Sequence, residues 1–187
     1  GNFILNTEEC VEAFEKWGEI YTGGYAPEDS INWGFVEMVD NFTGGLTGTL
    51  SNDSEVAISC AEKMDESEWG ILPMPRSTVD GKIYNTAGSP YSYSVAATSE
   101  HPDEAIQLID FLSRADNNIE YCKMGGLIPI NKDVADDPTY GEDGMYGPLV
   151  DQLNDPDFVV PPMYGPFSYT DLHQDTLHTE LQRYLLG

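Results

Sequence analysis

Positive charge is what this sequence has least of. Eight Lys and Arg stand against 33 Asp and Glu, a formal net charge of −25 over 187 residues. Phosphate binding draws most of its affinity from Lys and Arg, so a nucleic-acid partner is excluded, and an anionic membrane surface with it. No run of about 18 apolar residues occurs, so no segment reads as a membrane span. The sequence has no GxxxxGK[ST] phosphate loop, no GxSxG nucleophile elbow and no CxxC pair. Cys10, Cys60 and Cys122 are odd in number and widely spaced, which reads as buried or half-buried thiols.

What is present is a folded protein. Hydrophobic residues make up 40% and aromatics 11%, too many for an acidic disordered tail. A chain of this length buries about two-thirds of its unfolded surface. The start, Gly1-Asn2-Phe3-Ile4-Leu5, lacks the basic flank and apolar core of a signal peptide and begins in mid-pattern, as a fragment would. Asn41-Phe42-Thr43 and Asn52-Asp53-Ser54 match the short glycosylation sequon.

The punctuation predicts helices interleaved with strands, hence α/β. Thr7 caps a helix to Tyr21, with Glu8 and Glu9 at its positive end and Gly23-Gly24 as its stop. Cys10, Phe14, Trp17 and Tyr21 form its expected core stripe. A loop over Pro27 to Asn32 precedes a short helix with Phe35, Val36, Val39 and Phe42 on one side. Leu46 to Leu50, Trp69 to Pro73, Lys82 to Ala87 and Ser92 to Ala97 read as strands, with a turn at Asp80-Gly81. Pro102, followed by Asp103 and Glu104, opens a helix whose apolar face is Ala105, Leu108, Ile109 and Leu112. Another helix spans about Asn117 to Met124 and stops at Gly125-Gly126, after which Leu127 to Ile130 runs extended. Asp136 to Gly147 reads as a polar, Gly-rich loop, then Tyr146 to Leu153 as a short helix. Pro161 to Phe167 is irregular. A final amphipathic helix carries Leu177, Leu181, Tyr184 and Leu185.

Chemistry is sparse. His173 and His178 are five apart, whereas helical metal pairs use three or four. Asp136, Asp137, Glu142 and Asp143 lack the alternating oxygen ligands of a calcium loop. With so many acids no pair is singled out for glycoside hydrolysis, so no metal, no cofactor and no enzymatic role is expected. Tyr91, Tyr93, Tyr164, Phe167 and Tyr169 lie in Gly/Ser/Pro-rich segments instead of apolar stripes. Rings in such places pack locally or face a ligand, and a flat ring suits the apolar face of a sugar.

Four segments carry a family resemblance across nearly the whole chain. They are Phe42-Thr43-Gly44-Gly45-Leu46-Thr47-Gly48-Thr49-Leu50; Trp69-Gly70-Ile71-Leu72-Pro73-Met74-Pro75 with Asp80-Gly81-Lys82 and Gly88-Ser89; Ser99-Glu100-His101-Pro102-Asp103-Glu104-Ala105 with its helix through Phe111-Leu112; and Gly125-Gly126-Leu127-Ile128-Pro129. In this order they resemble the second lobe of the family 1 extracellular solute-binding proteins, the sugar-binding components of ABC importers, of which maltose-binding protein is a member. The resemblance implies the C-terminal lobe of a periplasmic-binding-protein-like (type II) fold, a short mixed sheet flanked by helices. Residues 1–187 would then form one α/β lobe of a two-lobed protein.

It further implies a monomer that captures a carbohydrate between lobes and hands it to ABC permease subunits, held outside the cell as a lipoprotein or in the periplasm. Three segments are placed at the cleft: Asn52-Asp53-Ser54-Glu55, Ser89 with Tyr91, and Phe167-Ser168-Tyr169. Glu55 stands near where maltose-binding protein has an aromatic, and Ser168 where it stacks a tryptophan, so maltose itself is disfavoured. Tyr91 or Tyr169 would stack on the ligand, with Asp53 or Glu55 accepting from hydroxyls. Three alternatives stay open: the same fold for a polyamine, a peptide or iron; a carboxylate-pair glycoside hydrolase; and a protein-interaction module.

Overall fold

The computed structural model describes residues 7–85, 92–130, 134, 136–160 and 176–187. The architecture is mixed α/β, and the chain divides into two compact units. One is Gly1–Leu50 with Pro162–Gly187; the other is Ser51–Pro161.

In the first unit, α1 (Glu8–Thr22) starts as its sequence predicts, with Thr7 Oγ1 accepting from the Cys10 N–H at 3.2 Å. The expected stripe is corrected at Trp17, which is 62% exposed. The buried position is instead Gly18, where the helix meets α7 (His178–Leu186). A Cβ on Gly18 would lie 2.9 Å from Tyr184 Cε1 and 3.2 Å from Leu185 Cδ2. Trp17, one residue and so about 100° round the helix, faces away from that contact. Gln182 Nε2 donates to Ile31 O at 3.2 Å, fastening α7 to a 3-10 helix over Glu28–Asn32, a stretch expected to be a loop. In α2 (Phe35–Thr43) only Val39 is buried; Phe35 and Val36 are exposed, so the expected four-residue face shrinks to its centre. Leu46 to Leu50 is not a strand. Gly44 and Gly45 end α2, the Leu46 N–H turns back to Asn41 O, and no described segment pairs with it.

The second unit contains α3 (Val56–Lys63), β1 (Ile83–Tyr84), α4 (Pro102–Ser113), α5 (Ala115–Gly125), α6 (Gly147–Asn154) and β2 (Phe158–Val159). β1 and β2 pair in parallel, Ile83 opposite Phe158 and Tyr84 opposite Val159. The sheet among the described residues is thus a two-stranded parallel pair, joined through helices as parallel strands must be. Trp69 to Pro73 and Ser92 to Ala97 pair with no strand among the described residues, contrary to expectation; Trp69 and Ile71 pack instead against the core. Tyr93 sets its ring edge-on to Tyr121, 6.2 Å between centroids. α4 has Pro102 in its first turn as expected, but Leu108 is exposed, and Ala105, Ile109 and Leu112 form the half-buried face. Cys60 and Cys122 are buried free thiols, and burial pushes both up in pKa, so neither is a ready nucleophile.

Residues 136–147 form the expected loop of turns and bends, polar and Gly-rich, but its rings are not at the surface. It carries the two most buried large side chains, Tyr140 and Tyr146, at 1% and 0% exposure. Successive turns close it: Gly144 N–H to Gly141 O, Tyr146 N–H to Thr139 O and Gly147 N–H to Gly144 O, at 2.8 to 3.1 Å. A Cβ on Gly144 would sit 2.5 Å from Pro138 O, so this winding requires glycine there. The two rings stack at 5.6 Å and 22°, and with Ala57, Cys122, Val134 and Val150 they form the core. The Tyr140 hydroxyl donates to Leu127 O at 2.9 Å, whereas the Tyr146 hydroxyl is buried with no partner among the described residues.

A pair of substitutions checks this asymmetry by chemical denaturation. Tyr140→Phe strands the Leu127 carbonyl and lowers stability by about 1 kcal/mol, while Tyr146→Phe removes an unpaired hydroxyl and leaves stability unchanged or raises it. Equal losses from both would show that Tyr146 is bonded after all.

Candidate functional site

Among the expected ligand-binding residues, Asn52, Asp53, Ser54 and Glu55 are described, and they form the entry to α3. Ser89, Tyr91, Phe167, Ser168 and Tyr169 lie outside the described residues, as do His173 and the segment 161–167. The turn is internally bonded. Asn52 Oδ1 accepts the Asp53 N–H at 2.9 Å, and the Asp53 carboxylate accepts the Glu55 N–H. The carbonyls of Asp53, Ser54 and Glu55 then accept from Val56, Ala57 and Ile58, so the helix winds directly out of the turn. Asn, Asp and Ser form such turns because their short side chains reach neighbouring backbone groups.

Tertiary packing fixes this backbone. Gly126 ends α5 at φ +69°, and a Cβ there would lie 2.9 Å from Glu55 Cα and 3.2 Å from the Tyr146 hydroxyl oxygen. Only glycine tolerates both the left-handed conformation and that approach. Val56 and Ala57 are buried immediately after the turn, and Ala57 belongs to the core. The Asn52 and Asp53 side chains are exposed. The result is a braced main chain presenting the Asp53 carboxylate to solvent, with Glu55 half-buried beside it.

Partial desolvation, and next the Glu55 charge, hold the Asp53 carboxyl above the ordinary aspartate value. The ionised form of Asp53 is therefore disfavoured in the fold. A group that donates hydrogen bonds to that carboxylate would relieve the penalty, which is a property of binding sites. Among the described residues no three His, Cys, Asp or Glu side chains approach closely enough to hold a metal ion.

The sequence reading missed a concavity in this unit, an open cleft of about 400 Å³ beside α6. Its floor is Gln152, whose Oε1 accepts the Met74 N–H at 2.6 Å. Arg76 flanks it, donating to Gly81 O and pairing with Asp155 and Asp157. These contacts join residues some eighty positions apart, a separation that leaves no local pattern to read.

The sequence model of one protein family, described as bacterial extracellular solute-binding protein, matches residues 2–147. None of the curated proteins and none of the solved structures matches the chain.

The raised Asp53 pKa gives a pH dependence of definite sign. The folded chain keeps this proton to higher pH than the unfolded chain, so its contribution to stability falls as pH rises above the ordinary value of 3.8. Asp53→Asn retains an acceptor for the Glu55 N–H and removes the charge. It should melt slightly above the parent at neutral pH, with the difference vanishing as pH approaches 4. A difference that widens on acidification, in thermal melts over that range, contradicts the assignment.

Proposed function

Because the chain belongs to the bacterial extracellular solute-binding protein family, we propose that it captures a sugar or oligosaccharide for an ABC importer. In this reading residues 1–187 supply one lobe of a two-lobed clamp that binds its ligand without chemical change. The protein works outside the cytoplasmic membrane, periplasmic or held by a lipid anchor, and delivers its ligand to permease subunits. No helix among the described residues is long and apolar enough to cross a membrane.

The observation that carries the reading is the turn 52–55, a core-fixed backbone with the Asp53 carboxylate exposed and Glu55 half-buried beside it. Hydroxyl groups of a sugar are donors suited to those carboxylates, and a carboxylate–hydroxyl bond is stronger than a neutral one. Donation to Asp53 also offsets the penalty on its ionised form. Ser89, Tyr91, Phe167, Ser168 and Tyr169 complete the proposed site, with Tyr91 or Tyr169 as the platform for the apolar face of the ring. Closure of the two lobes would exclude water from these contacts. Nothing in such a site requires a catalytic group.

Calorimetry with a panel of mono- and oligosaccharides tests this on the full-length protein. At least one carbohydrate should bind, and Glu55→Ala and Tyr91→Ala should each weaken it by about tenfold, on the order of 1.4 kcal/mol. A panel with no carbohydrate ligand removes the sugar assignment. Unchanged affinity in both variants removes the site.

A further inference from the structure

The cleft beside α6 shares no residue with the turn 52–55. We propose that it is a separate binding site for a small organic molecule carrying a protonated amine and a hydrogen-bond acceptor. Gln152 is the anchor. The residue is 5% exposed, and its oxygen is committed to the Met74 N–H. Only the oxygen of a carboxamide accepts, so this bond fixes which end is the NH2 group. No described residue accepts from that Nε2. It is not sealed in the interior like Trp69 Nε1 and the Tyr146 hydroxyl, so it opens onto the cleft. Open to the cleft, this donor is met by water, which a ligand oxygen at this point would replace.

Charge identifies the other end of the ligand. Glu142, Asp151 and Asp155 line the cleft with a single cation, Arg76. That guanidinium is already engaged by Asp155, Asp157 and Gly81 O. Glu142 and Asp151 have no ion-pair partner among the described residues, so the opening carries net negative potential and favours a cation. A bare metal ion does not fit, because among the described residues no three acidic, His or Cys side chains converge. The described acids are spread along an opening about 400 Å³ in volume, within the range for small-molecule sites. Met74 and Ile83 give it apolar walls for an alkyl segment. An ammonium near Glu142 and Asp151, a short carbon chain and an oxygen at Gln152 match this order.

The test titrates the 15N-labelled protein with 5-amino-1-pentanol, and in parallel with 1,5-pentanediol, at constant ionic strength. The two probes differ only in the amine. The Gln152 side-chain amide resonances should shift saturably with the amino alcohol and stay in place with the diol. Glu142→Gln with Asp151→Asn, both at exposed positions, should weaken binding by about tenfold. Asp103→Asn with Glu104→Gln, which removes the same charge on α4 outside the cleft, should not. A non-saturating response, an equal response to the diol, or full affinity in the cleft variant overturns the proposal. Neither probe is a carbohydrate, so the result is independent of the fate of the sugar reading.

Discussion

Tyr140 stacked on Tyr146 is the contact on which the second unit depends. Each ring buries about 150–250 Å² of surface, far more than any other contribution from its segment. Around the pair stand Ala57 of α3, Cys122 of α5 and Val150 of α6, so three helices meet one stack. The Tyr140 hydroxyl holds the Leu127 carbonyl just beyond α5, and the Tyr146 hydroxyl lies against Gly126 and the first turn of α3. Burial pushes the Tyr146 phenol up to about 12, which keeps it neutral at any physiological pH. A chain with so much negative charge needs a core that adds none.

Five of the eight cations make ion pairs of two kinds. Lys16, Arg114 and Arg183 pair with acids three or four residues away on their own helices, largely in solvent. Such pairs are worth a few tenths of a kcal/mol each. Arg76 and Lys123 join segments distant in sequence, Lys123 while also pairing with Glu120 on α5. Lys123 reaches Asp137 at 2.6 Å, tying α5 to the start of the loop that carries the two tyrosines, and this pairing holds Asp137 below the ordinary aspartate value. Arg76 ties the segment after Met74 to the residues that lead into β2, so β1 and β2 pair beside an ionic clasp. In this protein the scarce positive charge is most informative where it spans sequence.

How much of this was legible in the sequence follows from the range of each interaction. α1, α4 and α5 were legible because Thr7, Pro102 and the Gly125-Gly126 pair act within a turn of the helix they delimit. Of the expected strands only the one within Lys82 to Ala87 was legible, because a strand exists only with a partner: Ile83 finds Phe158, while the apolar runs at 46–50, 69–73 and 92–97 find none among the described residues. Tyr140 and Tyr146 were hidden for a different reason. Their neighbours are Gly, Asp and Glu, so average polarity suggests solvent, but tight turns at Gly144 and Gly147 aim the rings inward. The entry to α3 could be read from Asn52-Asp53-Ser54, of which Asn52 and Asp53 bond neighbouring backbone N–H groups. That Gly126 braces it from across the unit could not.

Under the proposed function, that brace connects stability to capture. A binding carboxylate is most useful where its backbone cannot retreat and its ionised form is poorly served by the protein. Asp53 meets both conditions: Gly126 and the buried Val56 and Ala57 fix the main chain, and partial desolvation with the Glu55 charge raises its pKa. The ordering cost is met during folding, by the tyrosine stack and its surroundings, and not again when a ligand arrives. Had the turn been flexible, Asp53 could have moved toward water and away from Glu55, and the penalty would have disappeared along with the geometry. Core packing is therefore what keeps this carboxylate poised, and loosening the Gly126 contact would affect the surface turn before it affected the fold.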